Sequence, residues 1–132
     1  MQVQILTPRL VLHDLLDVYA PEMYEYRKDP VIQKYQYFRP RSLDEVQNFI
    51  RNHSVNFDIE GTWFQVGIFL HEKLIGDIGI HFLGPANAQC EIGYTVSPVH
   101  QKKGYCKEAV RYLLEYLFLT LGKHRVIASL NP

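Results

Sequence analysis

The residues best suited to chemistry form a short polar loop at residues 101–107, which reads Gln-Lys-Lys-Gly-Tyr-Cys-Lys. The loop combines a glycine, several lysines and a run of backbone amides just before a helical pattern begins. The first amides of a helix have no hydrogen-bond partner within the helix, and the helix dipole adds about half a positive charge there. The loop is therefore expected to bind an anion such as a phosphate.

A strand and a helix are expected to hold this loop in place. Before the loop, Ile92, Tyr94 and Val96 alternate with polar or small residues, which is typical of a half-buried strand, and Ser97-Pro98 ends it. After the loop, apolar residues recur at helical spacing. They are Cys106, Ala109, Val110, Leu113, Leu117 and Leu121.

In this setting, Gln101-x-x-Gly104-x-Cys106 resembles the acyl-CoA pyrophosphate loop of the GNAT superfamily of N-acetyltransferases, usually written Q/R-x-x-G-x-G/A. Cys106 stands where the family has glycine or alanine. Three flanking segments, at residues 7–12, 91–94 and 107–109, are similar to the branch that contains the ribosomal-protein alanine acetyltransferases. The resemblance implies an α/β (α+β) GNAT fold, in which helices flank a mixed, mostly antiparallel sheet. It also implies transfer of an acetyl group from acetyl-CoA to a primary amine, which attacks the thioester directly.

The resemblance further implies which residues bind the co-substrate. The backbone of the loop holds the pyrophosphate, the loop lysines meet phosphate charge, and Gly104 lets the backbone approach closely because it has no side chain. The strand before the loop offers its amides to the pantetheine arm and to the developing oxyanion. The expected acetyl-CoA-binding residues are Tyr94, Thr95, Val96, Gln101, Lys102, Lys103, Gly104, Tyr105, Cys106 and Lys107.

Acetyl transfer to an amine also needs a base, because an alkylammonium with a pKa of about 10.4 is not a nucleophile at neutral pH. Glu91, on the same strand as Tyr94, is the expected catalytic base, and Asp77 and His81 are weaker candidates. The family's general acid is a tyrosine on a helix after the last strand, and none is assigned here. Several tyrosines could line the acceptor pocket or simply pack in the core. They are Tyr19, Tyr24, Tyr26, Tyr35 and Tyr37.

Other interpretations stay open at this stage. Cys106, at a helix start and near His100, could be a nucleophile, although a small core residue is the commoner role of such a cysteine. The chain could bind acyl-CoA without catalysis, as an inactive relative would. An unrelated phosphate-binding protein could use the same loop. The histidines and cysteines show no zinc spacing, so no metal is expected.

Composition limits the class of protein. The chain has 132 residues, which suits one domain over residues 1–132, and 47% of them are hydrophobic. Lys+Arg and Asp+Glu number 14 each, so the net charge gives no case for binding nucleic acid or an anionic membrane. No apolar run reaches the about 20 residues of a membrane span, and no secretory signal opens the sequence. We therefore expect a cytoplasmic protein.

The remaining patterns predict the order strand, two helices, three antiparallel strands, helix, strand. The first strand covers residues 9–15, Asp17 caps a helix over residues 18–28, and residues 31–41 form an irregular connector. Ser42 and Glu45 make a capping box for the second helix, which Glu60-Gly61 closes. The later strands are expected at residues 62–70, 74–82, 90–96 and 124–130.

The last strand should pair parallel to the strand before the loop, because a helical crossover joins them. The sequence ends soon after it, at Asn131-Pro132, whereas the family continues with another helix and a hairpin. We therefore expect a C-terminally truncated GNAT fold with an open strand edge. A second copy of the chain would cover that edge, so we expect a homodimer.

Overall fold

A computed structural model describes residues 2–34, 38–53 and 56–128. These residues build one six-stranded sheet in the order β1-β2-β3-β4-β5-β6. The strands are β1 (Gln4–Leu6), β2 (Val11–Asp14), β3 (Trp63–Leu70), β4 (Lys73–Leu83), β5 (Gln89–Val96) and β6 (Arg125–Ala128). The helices are α1 (Ala20–Arg27), α2 (Pro30–Lys34), α3 (Leu43–Asn52) and α4 (Tyr105–Glu115), the last continued by a π-helical turn at Tyr116–Thr120.

The strand pairing agrees with most of the predicted topology. Neighbouring strands from β1 to β5 are antiparallel, and β6 runs parallel to β5 after the α4 crossover, as predicted. The sequence patterns missed β1, which pairs with β2 through contacts such as Ile5 opposite Leu12. The Asp14 carboxylate accepts the amides of Gln2 and Val3, so a buried charge on β2 fixes the start of β1. A strand of three residues is too short to show a period.

The predicted start of the first helix was wrong. Asp17 does not cap it; it lies in a single 3-10 turn, Asp17–Tyr19, and pairs with Arg51 at 3.0 Å. Pro21 sits in the first turn of α1, where its missing N–H costs nothing. The connector expected at residues 31–41 includes part of α2, whose start is stabilised by the Asp29 carboxylate accepting the amide of Val31. Tyr35, Tyr37 and Asn131 lie outside the described residues.

One of the two hydrogen bonds of the predicted capping box at the start of α3 is present. Ser42 Oγ accepts the amide of Glu45 at 3.2 Å, which satisfies one of the free amides at the helix start. The Glu45 carboxylate accepts the amide of Arg41 and not that of Ser42. The predicted end at Glu60-Gly61 was wrong, because α3 already ends at Asn52.

Two hydrophobic clusters lie on opposite faces of the sheet, because side chains alternate along each strand. One cluster joins β1–β5 to α4 through Ala109, Leu113 and Leu117. The other packs α1 and α3 on the sheet through Met23, Ile50 and their neighbours. The loop at residues 101–104 connects β5 to the α4 side. Within the described part of the chain, no helix is both long and apolar enough to cross a membrane.

Candidate acetyl-CoA and acceptor site

The loop before α4 has a backbone shape suited to an anion. A short 3-10 turn, Pro98–His100, is followed by Lys102 at φ +63° and Gly104 at φ +81°, both left-handed. Such a conformation is uncommon for lysine. Alternating conformations of this kind turn successive amides towards one side and form a concave anion site.

The amides of this loop are available. Those of His100 and Gln101 bond back to Ser97 and Pro98, and the amide of Glu108 closes the first turn of α4 on Gly104. Among the described residues, none accepts a hydrogen bond from the six amides of residues 102–107. The loop residues 101–104 are exposed, so these amides can reach a ligand from solvent.

The side chains expected at the loop have different surroundings. Gln101 Nε2 donates to the carbonyl of Val96 at 2.9 Å, which ties the loop to the end of β5. Lys102, Lys103 and Lys107 are exposed. Cys106 is half-buried, and burial raises the pKa of its thiol, which disfavours the thiolate that a nucleophile needs.

Arg9 was missed as a site residue, although it lies in a segment that the sequence resemblance included. It reaches the loop from the segment before β2: Nη1 donates to the Lys103 carbonyl at 3.2 Å, and the guanidinium lies 4.5 Å from the centre of the Tyr105 ring. Its Nε donates to Glu108 at 2.7 Å, and a Cβ on Gly104 would stand 3.3 Å from its Nη2. Sequence patterns could not show a contact between residues so far apart in the chain.

Glu108 is the anchor of this contact. Its carboxylate accepts the Thr7 hydroxyl at 2.6 Å and the Arg9 amide at 2.9 Å, in addition to Arg9 Nε. Burial acts to raise the pKa of Glu108, but the bonds from Thr7 and Arg9 outweigh it and lower the pKa below 4.5. The loop and α4 are therefore fastened to the amino-terminal segment by an ionised carboxylate.

Successive residues of β5 direct their backbone amides and carbonyls alternately towards β4 and towards the β6 side. The Ser97 amide donates to Ile75 on the β4 side, and the Ala88 carbonyl accepts His124 on the β6 side. Tyr94 and Val96 therefore direct their amides towards the β6 side, whereas Thr95 directs its amide towards β4. The described pairing with β6 runs from Gln89 to Ile92, so Tyr94 and Val96 lie beyond it.

Two concave surfaces meet at Tyr94. On the α4 side, a groove of about 510 Å³ is lined by Tyr94, Cys106, Lys107, Val110, Arg111 and Leu114. On the other side, a cavity of about 210 Å³ is lined by Arg27, Phe38, Phe49, His53, Trp63, Gln65, Gly79, Gly93 and Tyr94. We call the second one the aromatic cavity.

The floor of the aromatic cavity is a pair of glycines, Gly79 and Gly93, directly opposite each other on β4 and β5. A Cβ on Gly93 would meet nothing within 4 Å, whereas one on Gly79 would stand 3.0 Å from Gln65 Oε1. The missing side chain of Gly93 thus leaves open space above the sheet. Glycine at both positions was visible in the sequence, but the pairing that brings them together was not.

Glu91 and His81 form the next pair along the same face of the sheet. Glu91 Oε1 lies 3.5 Å from His81 Nδ1, and both side chains are partly exposed. The His81 ring stacks on Trp63 at a centroid distance of 4.4 Å. The structure therefore places the expected base beside one wall of the aromatic cavity.

Asp77, the weaker candidate base, is fully buried on the other side of the glycine pair. Its carboxylate accepts the Tyr26 hydroxyl, Arg27 Nη2 at 2.6 Å and Gln65 Nε2 at 2.8 Å. Burial acts to lower the pKa of Arg27, but the charges of Asp77 and Tyr26 and the hydrogen bonds with them together outweigh it and raise the pKa. With its oxygens occupied, Asp77 is poorly placed to take a proton from an acceptor. Tyr26 is therefore part of this hydrogen-bond network. Tyr19 and Tyr24 pack against the hydrophobic cluster that holds α1 and α3 on the sheet.

A metal-binding group of three or more His, Cys, Asp or Glu side chains does not occur within residues 2–34, 38–53 and 56–128.

Comparison with known proteins identifies this arrangement. Residues 9–132 match the model of the family described as acetyltransferase (GNAT) domain. The chain belongs to this GNAT family. The family's reaction is transfer of an acetyl group from acetyl-CoA to an amine, so the chain is an acetyl-CoA-dependent N-acetyltransferase, as the loop motif predicted.

Individual relatives support the same assignment for this acetyltransferase. It is 27% identical to the uncharacterized N-acetyltransferase p20 of Bacillus licheniformis, covering 96% of this chain and 72% of that protein. A GNAT-family acetyltransferase structure from Bacillus anthracis superposes with a TM-score of 0.81 at 25% identity, over 96% of this chain and 72% of that one.

A more distant structure shows the fold alone. It is RimL, a ribosomal L7/L12 alpha-N-protein acetyltransferase in complex with coenzyme A, with a TM-score of 0.82 at 16% identity over 96% of this chain and 73% of that one.

Proposed function

We propose that this acetyltransferase brings acetyl-CoA and a primary amine together at Tyr94, where the amine attacks the thioester directly. The observation that carries the proposal is that Tyr94 borders both the groove beside α4 and the aromatic cavity. A co-substrate extended along the groove would present its thioester to an acceptor held in the cavity. No covalent enzyme intermediate is needed, which agrees with the raised pKa of the Cys106 thiol.

The phosphate end of acetyl-CoA is assigned to the loop. The free amides of residues 102–107 would hold the pyrophosphate, and Lys102, Lys103 and Lys107 would meet its charge. Gln101 and Tyr105 act indirectly, because Gln101 is bonded to Val96 and Tyr105 supports Arg9. Cys106 contributes its amide and one side of the groove.

The thioester end is assigned to β5. Tyr94 and Val96 direct their amides towards the β6 side beyond the described pairing, where they can bind the pantetheine arm and the developing oxyanion. The amide of Thr95 points towards β4, so its part in the proposal is to hold the strand in register. An amide placed at an oxyanion is worth about 3 kcal/mol of barrier.

Glu91 is assigned the role of base. It lies on the cavity face of β5, two residues from Gly93, and the facing His81 fixes its side chain. From that position it can take the proton of an acceptor ammonium, directly or through one water molecule.

The test is release of free CoA from acetyl-CoA in the presence of a panel of primary amines, with Glu91→Gln beside the parent. We expect kcat to fall about 100-fold or more in the variant, the usual contribution of a general base, while acetyl-CoA binding is unchanged. Glu115→Gln is the matched control, because Glu115 is an exposed carboxylate at the end of α4.

Unchanged kcat in Glu91→Gln would remove Glu91 from the mechanism. Binding of acetyl-CoA without turnover on any amine would support the alternative function, a non-catalytic acyl-CoA-binding protein. Equal or better binding of nucleotides than of CoA would point to a general phosphate site.

Two finer proposals concern the whole protein. We propose that a second copy of the chain covers apolar side chains exposed on β6 and on the π-helical turn after α4, namely Ile127, Phe118 and Leu119. A solution mass equal to one chain would contradict this. We also propose a cytoplasmic location, which fractionation of the producing cells would test.

A further inference from the structure

The walls of the aromatic cavity are two stacks of rings. Phe38 stacks on Phe49 at 4.1 Å between centroids, and Phe49 stacks on His53 at 4.2 Å. Trp63, whose ring stacks on His81, also lines the cavity. The Gly79–Gly93 pair adds no side chain to the floor, and a Cβ on Gly79 would stand 3.4 Å from the Trp63 ring. Most of the side chains that line the space are therefore aromatic.

The volume of the cavity suits one ring with a short arm. At about 210 Å³ it is larger than an engineered cavity of about 150 Å³ that holds benzene, and smaller than the usual site for a drug-sized molecule. Gly93 leaves its side of the floor open, since a Cβ there would meet nothing within 4 Å. A ring entering above Gly93 would meet a cavity lined mainly by aromatic side chains.

The charges around the cavity argue against a second positive group on the acceptor. None of the described residues that line it is acidic. The nearby Asp77 carboxylate is buried and already paired with Arg27, so its charge is not available. Arg27, the partner in that ion pair, also lines the cavity, so the pair presents no net negative charge to it. A second ammonium group would therefore lose its water without gaining a partner.

We propose that the acceptor is a monoamine whose amino group is joined by a short chain to an aromatic ring, and that Trp63, Phe38 and Gly93 determine this specificity. This inference rests on the proposed function, because it assumes that the aromatic cavity is the acceptor side of the site. The ring packs against the aromatic side chains that line the cavity, and the amine projects towards Tyr94 and Glu91.

A polyamine is the main competitor. A separate cavity of about 340 Å³ beside α1 is lined by Glu22, Glu25 and Asp29, together with Lys73. These carboxylates could attract a polycation, but the cavity is bounded by residues 97–100 after β5 and not by the glycine pair. A polyamine preference would place the acceptor there and overturn the inference.

Two matched pairs of amines test the inference in the CoA-release assay. Phenethylamine against 2-cyclohexylethylamine tests for a flat ring, and n-butylamine against putrescine tests for a second charge. We expect kcat/KM to favour phenethylamine about tenfold in the first pair and n-butylamine at least about tenfold in the second. The reverse order in either pair would overturn the inference.

Binding without turnover has its own readout. Trp63 is the only tryptophan of the chain, so its fluorescence reports directly on the aromatic cavity. We expect phenethylamine to change the fluorescence with a saturable dependence, and Gly93→Val to weaken that binding about tenfold or more by filling the floor. Val18→Ala is the control, because Val18 is 70% exposed, does not line the cavity and should leave binding unchanged.

CoA release and Trp63 fluorescence together distinguish a failure of the aromatic-acceptor inference from a failure of the proposed function. Saturable phenethylamine binding that Gly93→Val removes, without acetyl transfer to any amine, would support the aromatic cavity while the proposed function fails. Turnover that favours putrescine would leave the acetyltransferase standing and overturn the aromatic acceptor. No fluorescence change at saturating phenethylamine would also overturn it.

Discussion

At the scale of a single residue, Gly104 shapes the loop that we propose binds the pyrophosphate. Its φ of +81° starts α4, and its lack of a side chain leaves room for Arg9 Nη2. An L residue at this φ is strained by about 1–2 kcal/mol. Because the conformation is what turns the neighbouring amides outward, a change here should be felt first in ligand binding.

Gly104→Asp should therefore weaken acetyl-CoA binding by about 100-fold or more, since it adds both strain and a negative charge beside the pyrophosphate. Gly104→Ala, with strain alone, should have a smaller effect. Isothermal titration with CoA measures both. Cys106→Ala is the control in the same turn, and it should bind normally because it keeps the amide of residue 106 and adds neither charge nor backbone strain. Equal binding by all three variants would show that the loop does not hold the pyrophosphate.

At the scale of elements, a salt bridge fastens the amino-terminal segment to the loop and α4. Thr7 and Arg9 both bind Glu108, and Arg9 also binds the loop carbonyl of Lys103. This contact neutralises a carboxylate that would otherwise repel phosphate at the helix start. Arg9 thus acts as a positioning residue for the loop.

Two measurements check this role. In CoA titrations, Arg9→Gln and Glu108→Gln should be non-additive, with a coupling of about 1 kcal/mol between them. In urea unfolding, the depressed pKa of Glu108 stabilises the fold above pH 4.5, and this stability is lost as pH falls through the folded pKa. The parent should therefore lose stability more steeply in acid than Glu108→Gln. Parallel pH curves and additive binding losses would contradict the role.

Helices and strands that are long enough to show their hydrophobic period were predictable from the sequence. The strands β3, β4 and β5 and the helix α4 each show enough residues for the period to appear, and the parallel pairing of β6 follows from the crossover. The short elements were not predictable. β1 depends on Asp14, and the 3-10 turn at Asp17 depends on Arg51, so both are set by partners distant in the chain.

At the scale of the whole molecule, Asp77 links α1 to the centre of the sheet. Tyr26, Arg27 and Gln65 all donate to it in a buried site. A buried ion pair adds little net stability, but removing one partner leaves the other charge unpaired and is costly.

Asp77→Ala should accordingly lower the free energy of unfolding by about 3–5 kcal/mol, because it strands the Arg27 charge. Tyr26→Phe should cost about 1.5–3 kcal/mol, since Arg27 and Gln65 still satisfy the carboxylate. Urea unfolding followed by circular dichroism measures both. A Tyr26→Phe loss as large as that of Asp77→Ala would mean that the hydroxyl, and not the ion pair, holds α1 to the sheet.

The site was predictable only where one local segment carries it. The loop at residues 101–107 and the strand before it have signals in neighbouring residues, so the sequence alone could propose them as the site that binds acetyl-CoA. The aromatic cavity draws on α1, α3 and three strands, and no local pattern joins Phe38 to Trp63 or Gly79 to Gly93. Arg9 was missed for the same reason.

Arg27 and Gln65 each have two roles, which limits the substitutions that this protein can accept in evolution or in the laboratory. Both line the aromatic cavity and both secure Asp77, so substitutions there trade new specificity against folding. Trp63 and Gly93 are not among the residues that donate to Asp77, whereas the Arg27 guanidinium lies 5.8 Å from the centre of the Phe38 ring. Libraries that vary Trp63 and Gly93 should therefore yield more folded enzymes with altered acceptors than libraries built on Arg27 or Gln65.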